Sequence, residues 1–237
     1  MIDLLKFLFK KKKIDEIIIN NKIKLFLILF CVNILLIFLS RVIFIELEDL
    51  GLINKVNNNK KISYTGFDLL FISGFLIPIT EEVISRLWLK FNIYYLPISL
   101  SLFAFLFSFV FIFGHEINSL FLLPIEIFKC LLISALIFVI VLKIVLKNIH
   151  KLTLIFKIYI LEIVYFSSLT FSLLHLSMYN FEAKSSIPFL PFFLFPYFIA
   201  GVLLSYIRLK LSFLAVILFH ILHNSLFIGL NPLGVII

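Results

Sequence analysis

Three hydrophobic stretches of the chain each carry polar side chains whose types suit hydrolysis. Glu81 lies in the first stretch, His175 in the second, and His220 with Asn224 in the third. A carboxylate and an imidazole can hold and deprotonate one water molecule, while a second imidazole and a carboxamide N–H can donate hydrogen bonds to the oxyanion of a tetrahedral intermediate. No Ser, Cys or Thr stands out as a nucleophile, so the pattern favours attack by water.

A metal-assisted route uses the same residues. Glu81, His175 and His220 have the side-chain types that bind zinc, so a divalent metal such as zinc that activates the water is an open alternative. Cys31 and Cys130 lie far apart in apolar runs and lack the spacing of a cysteine-based zinc site. The cofactor therefore stays undefined by the sequence.

Two acidic residues next to each other in PITEEVISRLWLK are expected to have different environments. Glu82 and Arg86 are spaced i, i+4 and share a helical face, so they can form an ion pair. Glu81 lies about 100° around the same helix and is left out of that pair. The alternative is that this motif only marks the cytoplasmic end of a helix, where Glu and Arg are common.

The two other stretches repeat the i, i+4 spacing. Phe171 lies one turn before His175, and His220 lies one turn before Asn224, so each pair shares a helical face. A lone histidine in a membrane helix is usually a hydrogen-bonding partner of a neighbouring helix. Two of them on separate spans, together with Asn224, favour a common site over packing alone.

Other polar residues in the apolar stretches receive structural interpretations. Glu126 and Lys129 are spaced i, i+3 and are expected to neutralise each other. His223 points about 60° away from His220 and is expected to be packed, with a role as a hydrogen-bond donor behind the site as the alternative. The remaining ones are assigned to helix ends: Asp68 and Glu162 at the membrane interface, Tyr179 and Asn180 at the mouth of a cavity.

The elements that must position these residues are membrane helices. The 237 residues are 63% hydrophobic and only 14% charged, and the mean hydropathy is +1.20, which excludes an ordinary soluble domain, a disordered chain and a disulfide scaffold. Apolar runs near 20 residues predict an all-α polytopic bundle of about seven spans around a polar intramembrane cavity. The predicted spans are 24–45, 66–90, 93–114, 118–142, 155–177, 187–207 and 211–231.

The net charge of +8 is explained by topology and not by nucleic acid. With a cytoplasmic N-terminus, most of the 21 Lys and Arg residues fall on the inner side of the seven spans. The chain is thus predicted to be a multi-pass integral membrane protein, in the plasma membrane if its source is bacterial. We divide it into a basic cytoplasmic arm at 1–23, a first transmembrane helix and polar loop at 24–65, and a catalytic domain at 66–237.

The ordered motifs EExxxR (Glu81, Glu82, Arg86), FxxxH (Phe171, His175) and HxxxN (His220, Asn224) resemble those of the CPBP intramembrane protease family, the CAAX prenyl protease and bacteriocin-processing group. The resemblance covers about residues 66–230. It implies that Glu81 and His175 activate water, that His220 and Asn224 stabilise the oxyanion, and that Glu82, Arg86 and Phe171 support the site. It also implies a peptide or lipidated-peptide substrate at the lipid bilayer.

A second FxxxH copy, Phe111 with His115, is expected at the outer surface, because His115 lies about 37 Å of helix from Lys90. His175 is preferred because the residues before and after it fit the family pattern. His175 is also high, about 27 Å from Lys157, and a tilt, an interrupted helix or an inner interface at Glu162 would bring it level with Glu81. The prediction is an intramembrane endopeptidase, glutamate- or metal-dependent. The alternative is a non-catalytic membrane protein, an immunity-type binding partner or a transporter, that uses the same cavity.

Overall fold

The computed structural model describes residues 21–49, 70–112, 124–175 and 190–230, and every regular element in these ranges is helical, which confirms the predicted all-α class. The α-helices are α1 (Lys22–Asp49), α2 (Ile77–Arg86), α3 (Tyr95–Phe107), α4 (Pro124–Lys147), α5 (Ile149–Ile158), α6 (Ile160–Leu174), α7 (Leu190–Lys210) and α8 (Phe213–Leu230). π-Helical turns cover Leu70–Leu76 and Ser108–Ile112, and a 3-10 turn covers Leu87–Leu89. The predictions for Asp68, His115, Tyr179, Asn180, most of the basic arm and the polar loop lie outside the described residues.

Three described helical segments are long and apolar enough to cross a membrane: Lys22–Ser40 within α1, α4 and α7. A fourth span is possible if α5 and α6 are counted together. Tyr95–Val110 and Phe213–Gly229 are apolar but shorter. The predicted segment 66–90 is divided between a π-helical turn, α2 and a 3-10 turn in its described part. The total of seven spans therefore stays a prediction.

The outward face of α4 shows why the chain needs lipid. Leu131, Leu132, Leu136 and Val139 are all 46% exposed or more. A soluble protein rarely exposes so much contiguous apolar surface, whereas lipid tails solvate it at no cost. A helix also satisfies its backbone hydrogen bonds internally, as the hydrocarbon layer requires. These apolar helices indicate an integral membrane protein.

The chain divides into two compact units, Met1–Glu81 with Val164–Ile237, and Glu82–Ile163. In the first unit, polar caps fix where two helices begin. The Asn21 Oδ1 accepts a hydrogen bond of 2.9 Å from the Lys24 backbone N–H at the start of α1. The Ser212 Oγ accepts one of 3.0 Å from the Ala215 N–H at the start of α8. Such caps satisfy backbone donors that a helix leaves unpaired.

Aromatic and small residues hold the first unit together. The Phe219 ring of α8 is 1% exposed and makes edge contacts with Phe26 at 5.4 Å and with Phe30 at 5.2 Å, both on α1. Where α7 meets α6, a Cβ on Gly201 would lie only 3.0 Å from the Ser168 backbone. Glycine thus permits a close approach of two helices, as is common in membrane proteins. The helix that carries His220 and the helix that carries His175 are both firmly packed.

In the second unit, polar side chains hold neighbouring helices together. The Ser99 hydroxyl on α3 donates a 2.6 Å hydrogen bond to the Val83 carbonyl of α2. The Ser134 hydroxyl on α4 donates a 2.8 Å bond to the Ser101 carbonyl of α3. Each bond satisfies a hydroxyl that would otherwise lie unpaired in an apolar environment.

A sharp break at Tyr159 separates α5 from α6, and the two helices meet at 86°. The Tyr159 backbone has φ −106° and ψ 27°, outside the helical region. The helix that leads to His175 therefore begins at Ile160 and not near Lys157. The interrupted helix is thus present, while a tilt and an inner interface at Glu162 stay open and the depth of His175 relative to Glu81 stays a prediction.

Candidate active site

Glu81 lies between two histidines that come from different helices of the first unit. The Glu81 Oε1 atom is 3.9 Å from Nε2 of His175, and its Oε2 atom is 3.5 Å from Nε2 of His220. The Glu81 side chain is 23% exposed, and the two histidine side chains are 10% and 7% exposed. A carboxylate and two imidazoles thus lie close together in a largely buried place. Glu81 belongs to α2, His175 directly follows α6, and His220 belongs to α8.

The His175 ring is fixed from two sides. Its Nδ1 is 2.8 Å from the Phe171 carbonyl oxygen. A carbonyl oxygen only accepts hydrogen bonds, so Nδ1 carries the proton and donates a hydrogen bond to the Phe171 carbonyl. In the neutral ring this leaves a lone pair on Nε2, the atom that faces Glu81. The ring also stacks on Tyr197 of α7, at 4.3 Å between centroids and 27° between planes.

Phe171 contacts both histidines that face Glu81. Its ring is 2% exposed, lies 4.5 Å from the His175 ring and meets the His220 ring edge-on at 6.0 Å. The i, i+4 spacing predicted the first contact, but the second connects α6 with α8 and depends on packing. The Phe171 ring therefore packs against both imidazoles, and the Phe171 carbonyl also holds the His175 ring.

Asn224 lies one helical turn beyond His220 and has two described hydrogen-bond partners. Its Nδ2 donates a 3.1 Å bond to the Ser73 carbonyl, and its Oδ1 is 3.0 Å from Nδ1 of His223. Ser73 belongs to the π-helical turn Leu70–Leu76, a rare form that is frequent at functional sites. A Cβ on the neighbouring Gly74 would meet the Ser225 Oγ at 3.1 Å, so α8 approaches this turn closely. The contacts described for Asn224 do not include Glu81.

The predicted ion pairs are present in the second unit. The Arg86 Nη1 donates a 2.6 Å bond to the Glu82 Oε1, and both side chains are fully buried. The Lys129 Nζ lies 3.1 Å from the Glu126 Oε1, which confirms that these two charges neutralise each other. Glu82 and Arg86 thus form the expected pair on one helical face, while their supporting role in catalysis stays a prediction.

Two features of the site escaped the sequence analysis. Tyr197 stacks on His175 from a helix without any motif, and the Ser73 carbonyl is a backbone group that no side-chain pattern reveals. His223 hydrogen-bonds Asn224, as the alternative to its packed role anticipated. The sequence HILHN carries a signal for this last contact, because His223 directly precedes the polar residue of the HxxxN motif.

Glu81, His175 and His220 are the candidate ligands for a metal ion. Two imidazoles and one carboxylate are the ligand types of several catalytic zinc sites. Within the described ranges, however, no group of three or more His, Cys, Asp or Glu residues is arranged so that it could hold a metal. The chemistry that the three side chains support by themselves is general acid–base catalysis, and metal dependence stays an open alternative.

The fold and the site together define a class: a helical membrane protein with a carboxylate–imidazole cluster among its helices. Residues 143–226 match the family model described as type II CAAX prenyl endopeptidase, Rce1-like. For this part of the chain, the match confirms the resemblance drawn from the FxxxH and HxxxN motifs. It includes Phe171, His175, His220 and Asn224, and it begins after Glu81, which lies outside it. Searches of curated proteins and of solved structures each found no match.

Proposed function

We propose that this protein is an intramembrane endopeptidase that hydrolyses a peptide bond of a membrane-associated peptide or lipidated peptide. One observation carries the proposal: the Nε2 atoms of His175 and His220, on two different helices, face the two oxygens of Glu81. Burying a carboxylate among apolar helices is costly, so such a residue marks a functional site. The family match at residues 143–226 supports the same activity.

In the proposed reaction, Glu81 and His175 activate water. Both Oε1 of Glu81 and Nε2 of neutral His175 are acceptors, and they lie 3.9 Å apart. A water molecule that donates one hydrogen to each acceptor is oriented with its lone pairs toward the substrate. Glu81 takes a proton as the water oxygen attacks the peptide carbonyl carbon, and the proton passes to the leaving amine as the C–N bond breaks.

His220 and Asn224 are proposed to stabilise the oxyanion. His220 donates from its ring N–H, and Asn224 donates from the Nδ2 hydrogen that is not bound to the Ser73 carbonyl. Donors of this kind act strongly in a low-dielectric site, because they are already in place when the negative charge develops. Glu82, Arg86 and Phe171 are proposed as supporting residues.

The proposal is tested with the full chain in proteoliposomes. The substrates are peptides with a C-terminal CAAX sequence, farnesylated or not, and unmodified apolar membrane peptides, with products identified by mass spectrometry. Glu81→Gln and His175→Ala should lower kcat at least ~100-fold, since each removes a group that activates the water. Full cleavage by either variant would contradict the assignment.

Matched controls lie in the second unit. Glu126→Gln alters a carboxylate paired with an exposed lysine, and His150→Ala alters an exposed histidine, so both should cleave like the wild type. A chelator arm addresses the metal-dependent alternative: loss of activity with chelator and its return with Zn²⁺ would require a metal. If no peptide is cleaved, but ion-coupled transport or protection by binding survives Glu81→Gln, the non-catalytic alternative is correct.

The placement of the chain in the membrane is also part of the proposal. We place the N-terminus in the cytoplasm, with a basic arm at 1–23, a first transmembrane helix and loop at 24–65 and the catalytic domain at 66–237. If the source is bacterial, the membrane is the plasma membrane. The asymmetric distribution of Lys and Arg supports this orientation.

A further inference from the structure

We propose that His223 is a positioning residue that fixes the orientation of the Asn224 carboxamide for oxyanion stabilisation. The inference rests on the proposed endopeptidase activity and deepens it. His223 occupies a variable position of the HxxxN motif, and it directly precedes Asn224, the residue that it is inferred to orient.

The hydrogen-bond partners settle which way the carboxamide points. The Ser73 group that faces Asn224 is a carbonyl oxygen, which only accepts, so the amide atom 3.1 Å away is Nδ2. The amide oxygen then faces His223, whose Nδ1 is 3.0 Å away. Since Oδ1 only accepts, Nδ1 of His223 carries the proton and donates it. A chain of two hydrogen bonds thus runs from His223 through Asn224 to Ser73.

The surroundings of the other ring nitrogen of His223, Nε2, are consistent with a proton on Nδ1. Its Nε2 is buried and has no hydrogen-bond partner within the described part of the chain. A bare lone pair is a milder defect there than a buried N–H without an acceptor would be. The ring of Phe227 covers His223 at 4.6 Å between centroids. The imidazole is therefore held in a position where its one N–H donates a hydrogen bond to Asn224.

The chain of hydrogen bonds matters because a carboxamide can turn over. Without His223, a 180° flip of the Asn224 amide would present Oδ1 instead of Nδ2, and an acceptor beside an oxyanion repels it. With or without His223, the flip breaks the hydrogen bond between Asn224 and the Ser73 carbonyl. In the wild type, the flip also places the amide NH₂ of Asn224 next to the N–H of His223, where two donors repel each other. His223 thus disfavours the flipped orientation.

The first test is a kinetic double-mutant cycle on the full-length protein with the cleaved peptide. His223→Leu should lower kcat on the order of 10-fold with KM unchanged, less than the ~100–1,000-fold expected for losing an oxyanion donor outright. His223→Asn, which keeps an N–H near the position of Nδ1, should restore most of kcat. In an Asn224→Ala background, His223→Leu should have no further effect. Equal losses of kcat in both backgrounds would overturn the proposal.

The second test does not depend on activity, so a failure of the endopeptidase assignment and a failure of this inference are distinguishable. The ¹⁵N NMR spectrum of histidine-labelled full-length protein, assigned with His223→Asn, reports which ring nitrogen carries the proton. We expect a protonated Nδ1 and an unprotonated Nε2 at His223, and a changed Nδ1 signal in Asn224→Ala. A proton on Nε2 of His223, or no response to Asn224→Ala, would overturn the proposal even if His223→Leu fails to fold.

Discussion

The His175 imidazole is held by two neighbours. The Phe171 carbonyl lies 2.8 Å from Nδ1, and Tyr197 stacks on one ring face. The proposed role of His175 in activating water would benefit from such constraints, because a loosely held ring spends little time in the reactive geometry. The tautomer set by Phe171 directs the Nε2 lone pair toward Glu81, which is the orientation that the proposed water activation requires.

A prediction at the residue scale concerns Glu82 and Arg86, which form a fully buried ion pair at 2.6 Å. Glu82→Gln leaves the Arg86 charge without its partner carboxylate in a buried place. Loss of one member of such a pair costs about 3–5 kcal/mol. We expect a clear fall in the thermal unfolding temperature of the purified protein in detergent.

The control is Glu126→Gln. The partner Lys129 is 50% exposed near the start of α4, where a long side chain can reach the interface, so the loss should stay within about 1 kcal/mol. Equal destabilisation by the two variants would show that burial of the Glu82–Arg86 pair does not matter for stability.

At the scale of elements, the break at Tyr159 determines where the helix that leads to His175 begins. A continuous helix from Lys157 would place His175 about 27 Å along its axis. The two helices instead meet at 86°, and α6 starts anew at Ile160. The helix between the break and His175 is therefore α6 alone.

A second element-scale prediction addresses the contact between α6 and α7. Gly201→Ala adds a Cβ only 3.0 Å from the Ser168 backbone, which cannot move as a flexible side chain would. The two helices must separate, at a cost of about 1–3 kcal/mol. The thermal unfolding temperature should fall, and peptidase activity with it, because α6 carries His175.

Gly229→Ala is the matched control for Gly201→Ala. A Cβ at Gly229 meets no atom within 4 Å, and alanine is the better helix former by roughly 0.5–1 kcal/mol. Gly229→Ala should therefore leave the unfolding temperature unchanged or raise it slightly. A similar response to both substitutions would refute the role of Gly201 in close packing.

At the scale of the whole molecule, charge asymmetry predicts the orientation in the membrane. In a background with Cys31→Ala and Cys130→Ala, Lys60→Cys should react with an impermeant maleimide in intact cells. Lys147→Cys, at an exposed residue at the end of α4, should react only after the membrane is permeabilised. The reverse pattern would place the N-terminus outside and overturn the topology.

The sequence by itself determined the membrane class, the all-α fold and the local pairs. The apolar composition shows that the chain belongs in lipid and not in water. The 3.6-residue period of a helix places Glu82 beside Arg86 and Phe171 beside His175, independently of how the helices pack. The Glu126–Lys129 pair was predictable for the same reason.

Only the tertiary structure decided how these local features meet. The approach of His175 and His220 to Glu81 joins residues far apart in sequence. The hydrophobic pattern also predicts one continuous span at 155–177, whereas the structure bends at Tyr159 within it. The contact between His223 and Asn224 likewise depends on where the Ser73 carbonyl lies, because that group decides which end of the carboxamide faces the imidazole. Periodicity describes one helix at a time, whereas a site built from several helices is determined by how they pack.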